Sequence, residues 1–164
     1  MTTGGLSRAN AVHAALLAAA AGLVCAYWAA FFLTDLTKPA FVLHPLGVDG
    51  RRLAAVYMGF EGAFPLADAL VAVTLSLTAF YLLAGDRLAV PLGLVSAGAM
   101  LFLGLIDIWF NLAHGFYAAQ VLARDPGLTL EAAINTACVV GPILSAWRLW
   151  SLRAALTCAE APGL

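Results

Sequence analysis

Four stretches of the chain, about residues 11–34, 53–84, 88–122 and 129–150, stay apolar long enough to cross a bilayer. A helix needs roughly 20 such residues for a hydrocarbon core of about 30 Å. Within lipid every backbone amide must pair inside the protein, which leaves helices or closed barrels. No segment alternates as a barrel strand would. The fold class expected is therefore all-α, a polytopic membrane protein built as a four-transmembrane-helix bundle. Composition agrees, with 63% hydrophobic residues and a mean hydropathy of +0.96. Only 10% of residues are charged, against roughly 25% in soluble domains. That excludes a soluble globular domain, a disordered tail and a nucleic-acid-binding surface, since no basic stripe exists to meet phosphates.

The segment boundaries carry the expected punctuation. Thr37-Lys38-Pro39 and Gly47-Val48-Asp49-Gly50-Arg51-Arg52 bracket a long loop, while Gly85-Asp86-Arg87 and Arg124-Asp125-Pro126-Gly127 make tight turns. One domain over 10–152 is expected, with flexible ends at 1–9 and 153–164. The first apolar run exceeds a signal-peptide core, so it reads as a retained helix. Four crossings place both termini on one side. Arg8, Arg87, Arg148 and Arg153 on that side balance Lys38, Arg51, Arg52 and Arg124 on the other, so positive charge sets no orientation. The long Pro- and His-containing loop suits the outside, and the cell membrane is the expected location. Cys25, Cys138 and Cys158 form no CxxC pair. Paired-thiol redox chemistry and Cys/His metal sites are both disfavoured, and neither metal nor cofactor is expected.

Ionisable groups inside a membrane are costly and therefore candidate functional groups. Glu61 and Asp68 lie seven residues apart on the second apolar stretch, on one helical face, with Tyr57 and Pro65 on or beside it. Pro65 cannot donate to the carbonyl of Glu61, so a kink and a free acceptor are expected there. Asp107, Asn111 and His114 form a second stripe on the third stretch. Gly93, Ala97 and Gly104 continue it as small residues that allow close helix approach.

A hairpin turn near Asp86 sets Glu61 opposite Asn111 and Asp107 opposite Pro65. Similar reasoning brings Trp28 level with Met58, and Asn135 level with Phe116. At about 1.5 Å per residue, Asp68 lies roughly 25 Å and Asp107 roughly 30 Å from the 85–87 turn. The polar cluster is thus expected in the far half of the bilayer, lining a cup. No Lys or Arg shares these faces, so at least one of the three carboxyls is expected to stay protonated at neutral pH.

A neutral acid in a dry, aromatic-lined site can protonate an alkene or an epoxide of a lipid-soluble substrate. Tyr57, Trp28 and Phe64 would stabilise the resulting cation. Asp68 or Glu61 is the expected acid and Asp107 its partner, with a second carboxylate or His114 removing the final proton. Asn111, His114 and Asn135 complete the expected substrate-binding set. The plainer alternative stays open: Asn111 and Asn135 as interhelical hydrogen-bonding glue, His114 as a capping or interfacial residue, and Asp35 as a solvated ion-pair partner of Lys38.

The size and the Glu61…Asp68…Asp107 constellation, with Glu-x-x-Phe-Pro-x-x-Asp at 61–68 and Asp-x-x-x-Asn at 107–111, resemble the small bacterial membrane-bound terpene cyclases of the drimentine type. These close farnesylated indole diketopiperazines. The resemblance covers about 11–150 and implies protonation-initiated cyclisation of a prenyl chain, with acid roles on Glu61, Asp68 and Asp107. It also implies a lipophilic prenylated substrate in the bilayer and a prenyltransferase in the same pathway. No DxDD or DDxxD run occurs, so diphosphate chemistry on magnesium is not implied. Glu61 followed by Phe64-Pro65 is also similar to the emopamil-binding/sigma-2 group of sterol-binding proteins, whose isomerases protonate an alkene too. A non-catalytic membrane subunit or a sterol- or lipid-binding protein is the alternative function. A proton-coupled carrier is disfavoured, because four helices without internal repeats would have to oligomerise to make a path.

Overall fold

The computed structural model describes residues 8–158. Seven helices follow one another: α1 (Arg8–Leu33), α2 (Ala40–Leu43), α3 (Gly47–Glu61), α4 (Pro65–Ala84), α5 (Ala89–Ala113), α6 (Ala119–Leu122) and α7 (Pro126–Cys158). No strand occurs among the described residues. Four segments are long and apolar enough to span a membrane: Arg8–Leu33, Gly47–Ala84, Ala89–Ala113 and Pro126–Ala154. The protein is an all-α, multi-pass membrane bundle.

Several boundaries differ from the sequence reading. The second stretch starts at 47 rather than 53 and is interrupted at 62–64. There the backbone tightens, Ala63 N–H donating to Phe60 O at 3.0 Å and Phe64 N–H to Glu61 O at 3.1 Å. Pro65 then opens α4, where a missing N–H costs nothing. The Glu61 carbonyl is therefore satisfied rather than left free by the proline. The third helix stops at 113, not 122, because Gly115 turns the chain at φ 74, and a short α6 follows. The fourth helix runs 126–158 instead of 129–150, and Arg8 and Ala9 already belong to α1. The flexible ends expected at 1–9 and 153–164 otherwise lie largely outside the described residues.

In space the long helices pack in the order α1, α4, α5, α7. The α4–α5 hairpin is fixed by a left-handed Gly85 (φ 72). Asp86 N–H reaches back to Tyr81 O at 2.9 Å, while the Asp86 carboxylate accepts from Leu88 N–H at 2.8 Å, closing one helix and starting the next. An apolar core near this turn joins Leu17, Leu75, Leu82, Ala89 and Leu149. The small-residue stripe acts as expected. A Cβ on Gly93 would collide with Leu149 and Thr78, and one on Gly104 would meet the Cys138 Cβ at 3.0 Å. A second core, around Tyr57, Phe116 and Leu128, lies on the polar residues' side of the bundle. Asp125 clamps this end: its carboxylate accepts from Ala40 N–H at 2.8 Å and from Gly127 N–H at 3.0 Å.

Candidate functional site

The carboxylates of Glu61, Asp107 and Glu131 converge, each offering one oxygen within 4.8 Å of the others. Glu61 ends α3, Asp107 sits six residues before the end of α5, and Glu131 lies near the start of α7. The short turn at 85–87 and the α5–α7 connection return all three to one level. Asn111 is wedged between two of them: its Nδ2 donates to Asp107 Oδ1 at 2.8 Å and to Glu131 Oε1 at 2.7 Å. The Tyr57 hydroxyl donates to Glu131 Oε2. Tyr117, in the turn after α5, stands 3.4 Å from Glu131 Oε1 and receives Asn135 Nδ2 at 2.7 Å. Burial, reinforced by the nearby Glu131 charge, pushes the Tyr117 hydroxyl above its usual range, so it remains a neutral donor.

Asp68 stands apart from this triad, on the α1–α4 seam. Trp28 Nε1 donates to its Oδ2 at 2.8 Å. Trp28 is the hub of an aromatic cluster on α1, edge-on to Tyr27 and Phe31 and stacked on Phe32. Phe32 is 63% exposed while Trp28 is buried, so a stack of two rings leads from the outside of α1 inward to the Asp68 carboxyl. Tyr27 also faces Glu61, its hydroxyl 3.5 Å from Oε2, at the outer limit of a hydrogen bond.

The residues singled out in the sequence are distributed as follows. Glu61, Asp107, Asn111 and Asn135 meet in one network, Glu61 and Asp107 as triad members and the two asparagines as donors. Phe60 stacks on Phe110, centroids 3.6 Å apart, within a turn of the expected pairing of Glu61 with Asn111. Across the connection from α1 to α3, Tyr27 reaches Glu61, two residues from the expected level. The Trp28 indole instead meets Asp68, ten residues beyond Met58, because α1 packs mainly on α4. Tyr57 is fully buried against Phe41 and Phe116, and Phe64 packs edge-on to Phe60. His114 is exposed at the end of α5, bonding the Phe110 carbonyl at 2.9 Å. It caps the helix and does not join the acids. Asp35, 71% exposed, pairs with Lys38 at 2.8 Å.

Glu61, Tyr57, Asn111 and Asn135, expected to line a cup, are instead all buried. Two surface hollows lie elsewhere, one lined by Arg87, Leu88, Val90, Pro91 and Arg153 and one by residues between 122 and 133. Sequence reasoning missed Glu131 and Tyr117. The usable signal was Glu131 and Asn135 at i and i+4 on one face of the fourth apolar stretch. The chain matches no protein-family model, no curated protein and no solved structure.

Proposed function

We propose that the protein is a cell-membrane enzyme that protonates an alkene of a farnesyl-type chain on a lipophilic substrate and so starts its cyclisation. The observation that supports this reading is the Trp28–Asp68 hydrogen bond at the inner end of a ring stack that begins at exposed Phe32. The indole occupies Oδ2, leaving Oδ1 to carry the proton. In the reaction the Oδ1–H bond breaks as a new C–H bond forms on the terminal alkene. The tertiary cation left behind is attacked by the next double bond. Trp28, Tyr27 and Phe32 offer π faces to the moving positive charge, and the lipid surroundings keep water away. The ionised Asp68 takes back a proton from the carbon beside the final cation. The acid is thereby regenerated and the product is an isomer of the substrate. A prenyltransferase of the same pathway would supply the prenylated substrate.

Choosing Asp68 over Glu61 follows from access, since Asp68 is part-exposed on the α1–α4 seam while Glu61 is 3% exposed inside the triad. The test is incubation of the membrane-embedded protein with a farnesylated indole, looking for a cyclised product of unchanged mass. A non-catalytic lipid- or sterol-binding protein is the second reading. It is favoured by the close packing of Tyr57, Asn111 and Asn135, which makes the triad a helix-joining network.

A further inference from the structure

The triad carries more acceptors than donors. Three carboxylates from three helices meet, and the side chains hydrogen-bonded to them are those of Tyr27, Tyr57, Asn111 and Tyr117, all uncharged. Two acceptors stay unserved although buried. Glu61, 3% exposed, keeps Oε1 without a donor. Asn111, 0% exposed, keeps its amide oxygen Oδ1 without one, although the same amide reaches two of the three acids through Nδ2. A buried acceptor left unpaired is costly, and a cation among the carboxylates would give the Glu61 oxygen a partner.

We propose that Glu61, Asp107 and Glu131, with the amide of Asn111, form a binding site for a hard divalent cation. All the donors are oxygen, which selects magnesium, calcium or manganese over zinc or copper. Oxygens within 4.8 Å of one another place a central ion at most about 2.8 Å from each, room for any of these ions. Magnesium gives up its waters reluctantly and is seldom held by a cage of protein oxygens alone, so this buried set favours calcium, for which manganese serves as the probe. Asp107, the part-exposed member, is the side from which an ion enters. One such ion ties α3, α5 and α7 together at the end of the bundle remote from the 85–87 turn. Its ligands include neither Asp68 nor Trp28, and it does not rest on the cyclisation reading, since binding is measured without substrate.

The test uses the full chain in nanodiscs of neutral phosphatidylcholine, stripped with chelator and titrated with manganese while the free-ion electron paramagnetic resonance signal is followed. The expected result is one manganese bound per chain, displaced by calcium more readily than by magnesium. Glu131→Gln is expected to weaken binding at least tenfold and Asp35→Asn to leave it unchanged. Should Glu131→Gln not fold, Asn111→Asp, which adds a fourth carboxylate, is expected to tighten binding severalfold; a purely helix-joining role for Asn111 would not produce that. No bound manganese at about 1 mM, the weak end of protein calcium sites, would overturn the proposal. So would equal binding by the wild type and a folded Glu131→Gln variant, or unaltered affinity in Asn111→Asp.

Discussion

The indole N–H of Trp28 is bonded to Asp68 at 2.8 Å across the α1–α4 seam, joining residues forty positions apart. The contact fixes the carboxyl's orientation and places it against an aromatic face. Trp28→Phe keeps the ring but removes the donor. Charge-assisted hydrogen bonds are worth about 1.5–3 kcal/mol, so turnover is expected to fall on the order of tenfold with the protein still folded. Steady-state rates of product formation, alongside near-ultraviolet circular dichroism, check this. An unchanged rate would remove the pair from the reaction.

Tyr57 and Glu131 share a buried hydrogen bond, so their removal is coupled. Tyr57→Phe and Glu131→Gln are each expected to destabilise the bundle. The double variant should cost less than the two single losses added together, by on the order of 1 kcal/mol. Unfolding in mixed micelles of increasing denaturing detergent measures the cycle. Strict additivity would mean that the two groups do not interact.

Asp125 is 7% exposed and accepts the N–H groups of Ala40, Gly127 and Leu128. Asp125→Ala leaves these donors unpaired beneath the 34–46 connection and is expected to destabilise the protein by about 2 kcal/mol. Hydrogen exchange at 37–44 is the direct readout, and it should rise there before it rises in α4 or α5.

Two glycines of α5 make opposite predictions. Gly93 has Leu149 and Thr78 where a Cβ would go, whereas nothing stands within 4 Å of one on Gly98. Gly93→Val is expected to cost about 3 kcal/mol by forcing α7 away. Gly98→Ala is expected to be neutral or to stabilise by up to about 1 kcal/mol. Thermal unfolding of the two variants side by side checks the contrast.

Burial raises the titration of Tyr117 above its ordinary value. The sign follows from linkage. The unfolded chain loses this proton near pH 10 and the folded chain holds it, so stability is complete below about pH 10 and declines as pH rises beyond it. Tyr117→Phe should flatten that alkaline decline, measured by unfolding between neutral and alkaline pH.

Much of the architecture was readable because lipid permits so few backbone solutions. The α4–α5 register was readable too, since the tight Gly85–Asp86 turn leaves little slack and Thr78 lies against Gly93 at the expected level; beyond the 62–64 break, Phe60 of α3 still meets Phe110 close to it. The placement of Trp28 was not. The 34–46 connection folds into its own short helix and α1 packs mainly on α4, so hairpin arithmetic brings Tyr27 near Glu61 but does not give the partner of Trp28. Glu131 escaped notice because an acid just inside a helix start is ordinary complementarity to the helix dipole. Only the return of α7 beside α5 shows that it faces Asp107.

The decisive measurement is mass-resolved product analysis of the nanodisc-embedded protein given a farnesylated indole, run beside Asp68→Asn. The wild type should yield a cyclised isomer of identical mass, and Asp68→Asn should lose at least about a hundredfold in rate, the scale of a removed general acid. Cyclised product formed equally fast by a folded Asp68→Asn protein, or no product from the wild type, would contradict the assignment of this carboxyl as the proton donor.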